Sequence, residues 1–180
     1  MSYKVVDNFL KEKDFIVLQT LFSSNEFPWF FNDAITYENN NEKALAKYND
    51  KKVLNLKKFN NYFFTHLIYR HNVVQTNHDV WRVIQPLLEK LDTKAIIRIK
   101  TNCYLKEDKV VQHPWHTDYE FGQKGCLFCV NTNNGYTTIE NGTKIKSVAN
   151  RAIFLDTNKP HASSSVSDQD RRININLNYF

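Results

Sequence analysis

The chain has 180 residues, 42% of them hydrophobic and 14% aromatic, with only four glycines and four prolines. This excludes a disordered or low-complexity protein and leaves room for a core that buries roughly 70% of the surface the unfolded chain would expose. The formal net charge of +5 is spread evenly, with 13 basic against 11 acidic residues up to Lys94 and 11 against 8 beyond, so no basic tail or block marks a nucleic-acid-binding protein.

No run approaches the ~18 apolar residues of a membrane span, and none at the N-terminus resembles a signal peptide. With an odd number of cysteines, three, the expected compartment is a reducing cytoplasm. Cys126 and Cys129 have the spacing of half a metal or redox site, but they lie in an apolar run that reads as a strand, which would point them to opposite faces. Asn141-Gly142-Thr143 reads as a turn. The expected organisation is a single domain over residues 1–180, with 1–94 as a helical and β support region and 95–180 as the core that carries the site.

In chain order, Val5-Val6 followed by Asp7-Asn8 predicts a short strand running into a helix cap. Phe15, Leu18, Leu21 and Phe22 recur at helical spacing and predict an amphipathic helix over 10–23. The Phe27-Pro28-Trp29-Phe30-Phe31 stretch is too aromatic for a plain surface loop and is expected to pack under that helix. Residues 39–60, rich in Asn and Lys, are expected to form an exposed connection that can act as a lid, and residues 119–125 to form a second loop beside the opening. Residues 62–69 read as a strand. Residues 76–91 read as a helix capped by Thr76 or Asn77, with Val80, Trp81, Ile84, Leu87, Leu88 and Leu91 buried and a kink at Pro86.

From residue 95 the texture changes to short strands separated by turn signals: 95–105, 110–118, 126–132, 135–140, 143–148, 151–156, 161–166 and 172–179. Asn134-Gly135 and Asn141-Gly142 fall between strands, where tolerance of positive φ suits tight hairpins. The fold class expected is mainly β with flanking helices: eight strands in two facing sheets, a double-stranded β-helix or jelly roll, packed against the N-terminal helices.

Within it, His116 and Asp118 are two residues apart and share a face of an extended strand, and His161 arrives at the mouth of the seventh strand. Two imidazoles and one carboxylate on one side of a metal leave three positions open, an arrangement that suits non-haem Fe(II) better than zinc. In the last strand, Arg172, Asn174, Asn176 and Asn178 alternate with Ile173, Ile175, Leu177 and Tyr179. If the polar face looks into the barrel, Arg172 can pair with a carboxylate and Asn174 can reach the same ligand, while Arg171 points away. His113 competes as a ligand, although its spacing of three from His116 does not suit a strand. His66 reads as a core histidine.

This pattern resembles the Fe(II)/2-oxoglutarate-dependent oxygenases, in the broad prolyl 4-hydroxylase-like group of phage and bacterial type. The full motif order lies in residues 95–180, with a looser likeness at Asp7-Asn8-Phe9-Leu10 and Pro28-Trp29. The resemblance implies that His116, Asp118 and His161 ligate iron, that Arg172 binds the distal carboxylate of 2-oxoglutarate, and that Asn102 and Tyr104 face this cosubstrate. It further implies O2 as oxidant, succinate as coproduct, hydroxylation as the outcome and ascorbate as an optional reductant. Many prolyl hydroxylases use Lys where this chain offers Arg171-Arg172, so a prolyl substrate does not follow. A protein side chain, a nucleobase and a small metabolite all stay open as substrates, and the oligomeric state is unassigned. Two other readings compete: a cupin-like metal-dependent isomerase or lyase, and a non-enzymatic basic module that stacks nucleic acid on Phe27–Phe31.

Overall fold

One polar and one apolar face on the last strand set the architecture, because only the apolar face can sit against helices. The computed structural model describes residues 3–33, 35 and 62–180. In chain order these form β1 (Tyr3–Val6), α1 (Glu12–Ser23), β2 (Phe30–Asn32), β3 (Phe63–Arg70), β4 (Val73–Val74), α2 (His78–Leu91), β5 (Ile96–Leu105), β6 (Lys124–Cys129), β7 (Tyr136–Ile139), β8 (Lys144–Lys146), β9 (Arg151–Leu155), β10 (His161–Ala162) and β11 (Arg171–Tyr179). The connection and lid expected at 39–60 lie outside the described residues.

A large antiparallel sheet runs β1-β9-β6-β11-β5-β3-β2, with β4 paired to β3, and faces a small sheet ordered β10-β7-β8. From β6 onward the chain crosses repeatedly between the two sheets, from β6 to β7, β8 to β9, β9 to β10 and β10 to β11, as in a jelly roll. Neither sheet closes on itself. The register of β11 on β5 sets Arg172 opposite Tyr104, Asn174 opposite Asn102, Asn176 opposite Lys100 and Asn178 opposite Arg98, so these eight polar side chains share the inner face. On the outer face Ile173, Ile175 and Leu177 join Ile99, Cys103, Cys126 and Phe128 in a core closed by Leu18 and Phe22 of α1 and by Val80, Ile84, Leu87, Leu88 and Leu91 of α2. Burial of such side chains contributes about 1.5–3 kcal/mol each, which fixes the sheet's orientation. A second, smaller cluster of Cys129, Ile139, Ile145, Ile153 and Leu155 fills one end between the sheets. Cys126 and Cys129 therefore belong to different cores, are free thiols and are buried.

Asn77 caps α2 as expected, its Oδ1 accepting from Val80 N at 3.0 Å, and the helix continues past Pro86 to end on Asp92 in the left-handed region. The start of α1 differs from expectation. The residue at its cap is Lys11, which makes no side-chain capping bond, because Asp7 is drawn into an ion pair with Arg151 and Asn8 turns at φ 49°. Asn150, at φ 60°, ties the entry of this segment: it accepts from Leu10 N at 2.8 Å and donates to Leu10 O at 3.0 Å. Phe27 packs its ring on Phe22 at 4.9 Å and is buried, whereas Phe30 and Phe31 are exposed on β2. The aromatic stretch is therefore only partly available as a surface.

Two of the eight expected strands are corrected. Residues 110–118 form no regular strand and reach the small sheet by isolated bridges, Gln112 to Ser164 and His116 to His161, since Pro114 has no N–H to give to a ladder. The strand expected over 161–166 is only two residues long. Gly135 is also corrected. Among the glycines only Gly142 has positive φ, +83°, while Gly135 is required by crowding: a Cβ there would stand 2.6 Å from Arg172 Cδ and 2.8 Å from Ser165 O.

Candidate metal centre

His116 and His161 are brought together by a closed pair of backbone bonds, His116 N to His161 O at 2.9 Å and His161 N to His116 O at 3.0 Å. Their rings lie 4.5 Å apart. Just upstream, Val111 pairs with Ser165, Gln112 with Ser164 and His113 with Ser163, so three steps from His113 to His116 face two steps from Ser163 to His161. One extra residue is accommodated at Pro114-Trp115, a bulge. In an even strand His113 and His116 would face opposite ways; the bulge turns both into the barrel.

One ligand atom from each of His116, Asp118 and His161 falls within 4.8 Å of the others. Each imidazole is oriented by the carbonyl two residues before it: His116 Nδ1 donates to Pro114 O at 3.4 Å and His161 Nδ1 to Lys159 O at 3.0 Å. A carbonyl can only accept, so the proton of the neutral ring sits on Nδ1 and Nε2 keeps its lone pair. Burial, and then the neighbouring His161, push His116 down to about 3, so its ring is neutral at pH 7.

Asp118 Oδ1 accepts from Arg98 Nη2 at 2.9 Å, and Oδ2 accepts from Asn176 at 3.2 Å and Asn178 at 3.0 Å. Burial works to raise its pKa, but Arg98, then the two histidines and the Asn178 bond, hold it well below the usual carboxylate range. The carboxylate is thus ionised and fixed by three neighbours, two of them from β11.

Arg172 is fully buried. Its Nε donates to Ser147 Oγ at 2.8 Å, Nη1 to Ser164 O at 3.0 Å and Nη2 to Thr137 Oγ1 at 3.0 Å, and its guanidinium lies 5.3 Å from the Tyr104 ring. A guanidinium has five N–H groups, so one on each Nη remains to be satisfied, and among the described residues no carboxylate pairs with it. Arg171 points the other way, onto Ser23 O at 2.6 Å. Asn102 donates to Asn174 Oδ1 at 2.9 Å, and its own Oδ1 is buried without a hydrogen-bond partner among the described residues. Leaving such a group unpaired costs about 1–3 kcal/mol, so the structure is most comfortable with a polar guest beside it.

Sequence reasoning missed Arg98 and Lys100 here, and weighed His113 as a competing ligand. His113 stays outside the cluster: its Nδ1 meets Ser163 Oγ at 2.8 Å, its ring lies 5.1 Å from Tyr104, and burial followed by Arg172 and His116 pushes it down to about 3. Arg98 and Lys100 share the inner face of β5, and their alternation with Ile97 and Ile99 was a readable signal. Lys100 Nζ sits 5.3 Å from the Phe63 ring; burial and then Arg98 push it down to about 8. His66 is a core histidine, held by Pro28 O at 2.8 Å and Thr76 Oγ1 at 2.7 Å.

No protein-family model matches the sequence, and no curated protein matches it either. In three dimensions the chain is similar to an oxidoreductase of the 2OG-Fe(II) oxygenase family from Burkholderia pseudomallei, at 12% identity and TM-score 0.65, with 99% of this chain and 85% of that one covered. It is also similar to a prolyl hydroxylase in complex with a hypoxia inducible factor oxygen degradation domain peptide fragment from Trichoplax adhaerens (13%, TM-score 0.64, 99% and 83% covered). A third similar structure is a non-heme alpha ketoglutarate dependent epimerase from nogalamycin biosynthesis (13%, TM-score 0.59, 99% and 77% covered). The fold is that of the 2OG-Fe(II) oxygenases, a helix-backed jelly roll. The fold likeness spans hydroxylase and epimerase structures alike.

Proposed function

We propose that this chain is an Fe(II)- and 2-oxoglutarate-dependent dioxygenase that hydroxylates its substrate. The observation that carries the reading is one shared inner face of the barrel: a two-histidine, one-carboxylate cluster at one end and, at the other, a buried arginine that has spare N–H groups and no carboxylate among the described residues. The residues fit the implied groups. His116, Asp118 and His161 would hold Fe(II), and Arg172, with Asn174, Asn102 and Tyr104 around it, would hold the distal carboxylate of 2-oxoglutarate. When bound, these groups supply the activation of O2, with 2-oxoglutarate leaving as succinate and CO2 and a hydroxyl delivered to a C–H bond.

The chain's own residues do the rest. Pro114 O and Lys159 O fix the imidazole tautomers. Arg98, Asn176 and Asn178 hold the Asp118 carboxylate ionised and aimed. Ser147, Thr137 and Ser164 hold the Arg172 fork so that it meets a carboxylate without reorganising, which is where pre-set polar groups gain their advantage. The pairing of β1 with β9 supports reading the N-terminal segment and the barrel as one domain, and among the described residues no helix is long and apolar enough to cross a membrane.

The test is succinate release from 2-oxoglutarate by the purified protein with Fe(II), ascorbate and O2. The expected result is slow turnover without substrate, abolished in His161→Ala. Turnover unchanged in that variant would overthrow the assignment, and metal binding with no response to 2-oxoglutarate would instead support the isomerase or lyase alternative.

A further inference from the structure

The inner faces of β5 and β11 carry three cations, Arg98, Lys100 and Arg172, and no carboxylate. Among the described residues the only carboxylate that bonds to these faces is Asp118. Three cations less one carboxylate leaves a surplus of two positive charges in the barrel, to which Arg70, opposite Arg98 on β3, adds from the rim. A divalent metal and a dicarboxylate cancel each other, so loading both leaves that surplus in place. A surplus of one sign in a cavity with low-dielectric walls draws in the opposite charge.

The three cations are not equivalent. Arg98 is bonded to Asp118 and Asn178. Arg172 is held by Ser147, Thr137 and Ser164 at the other end of the barrel, opposite Tyr104. Among the described residues Lys100 has neither kind of partner: its ammonium rests against the Phe63 ring at 5.3 Å, and Phe63 stacks on Tyr104 at 5.5 Å and 12°. Lys100 stands opposite Asn176, which bonds Asp118, so it belongs to the metal end of the cavity. The four residues from Lys100 to Tyr104 cover about 13 Å of strand, which sets it well apart from the arginine end. Burial and Arg98 together draw its pKa down to about 8, and an oxyanion at this spot relieves both.

We propose that Lys100 anchors the substrate, and that the substrate carries an oxyanion group, carboxylate or phosphoryl, held by this ammonium beside His116, Asp118 and His161. This rests on the oxygenase reading and narrows it to acidic substrates, whether small acids or acidic groups on a larger molecule. A neutral peptide or an unmodified nucleobase leaves Lys100 unmatched.

The experiment loads the protein with Mn(II) and 2-oxoglutarate under anaerobic conditions and adds inorganic phosphate or acetate as probes in separate arms. Mn(II) binding is read by electron paramagnetic resonance and proximity to it by broadening of the probe's ³¹P or ¹³C resonance. Saturable broadening of at least one probe is expected in the wild type and in Lys100→Arg, and a loss of at least fivefold in Lys100→Met, with Mn(II) and 2-oxoglutarate binding in that variant within threefold of wild type. Response to phosphate alone assigns a phosphoryl group, to acetate alone a carboxylate. Equal broadening in wild type and Lys100→Met, or none in either, overturns the substrate assignment while leaving the metal reading intact. Likewise, a Lys100→Met variant that loses 2-oxoglutarate in step with the probe places Lys100 on the cosubstrate and overturns it. Failure of the wild type to bind Mn(II) removes the oxygenase reading itself, and this inference with it.

Discussion

Replacing Arg172 by Met is the sharpest probe of the cosubstrate end of the cavity. The substitution keeps a long side chain against Tyr104 but deletes the guanidinium that Ser147, Thr137 and Ser164 hold in place. Removing one partner of a buried, hydrogen-bonded ion pair costs about 3–5 kcal/mol, and at about 1.4 kcal/mol per decade this weakens 2-oxoglutarate binding roughly 150- to 4,000-fold. In the wild type, Mn(II) with 2-oxoglutarate at a hundred times its Kd adds about 2.7 kcal/mol of stability. For a chain of this size that is a rise in Tm of about 5–11 °C. At the same ligand concentration the variant retains about 0.3 kcal/mol or less, a shift of about 1 °C. Scanning fluorimetry with and without ligand under argon reads both. A ligand-induced shift in Arg172→Met as large as in the wild type would refute the role given to this side chain.

Other outcomes follow from the same geometry. Gly135→Ala sets a methyl 2.6 Å from Arg172 Cδ and 2.8 Å from the Ser165 carbonyl; a loss of about 1–3 kcal/mol in urea unfolding is expected, together with weaker 2-oxoglutarate binding, and a neutral effect would show that the close approach is not needed. Asn150→Ala strands Leu10 N and O and should cost about 2–4 kcal/mol, with a loss under about 1 kcal/mol counting against the tie. His113, pushed from its ordinary 6.5 down to about 3, is protonated first in the unfolded chain. The stability it contributes is therefore complete above pH 6.5 and is lost as pH falls towards 3, at up to about 1.4 kcal/mol per pH unit. Urea midpoints between pH 4.5 and 6.5 should accordingly show a shallower slope in His113→Phe, and identical slopes would contradict the burial of a neutral ring.

The two-sided pattern of the last strand and the short strands before it made the jelly roll legible, because alternation is a local property of the chain. The helical stripe of Val80, Ile84, Leu87, Leu88 and Leu91 was legible for the same reason. What stayed hidden depends on pairing between distant segments. The capture of Asp7 by Arg151, which displaces the helix cap, involves residues 144 apart. The need for glycine at 135 comes from Arg172, and nothing in Asn134-Gly135 announces it. The two-residue length of β10 reflects Pro160 before it and the Ser163 to Ser165 run after it, whose side chains and backbone bond irregularly to 111–113 and 136. Lys100 and Arg98 were visible as alternating cations, but their inward direction follows only once β11 is laid beside β5.

The bulge at Pro114-Trp115 makes this centre a matter of counting as well as chemistry. Excising one residue there would leave two steps from His113 to His116 facing two from Ser163 to His161, so the ladder would run evenly and His116 would still face inward opposite His161. Straightening the segment with all its residues kept would instead turn His116 outward, so the bulge is what absorbs the extra residue and keeps this side chain on the inner face. By the same token, two chains of this fold that differ by one residue in this segment can present the same donor set, the bulge making up the difference.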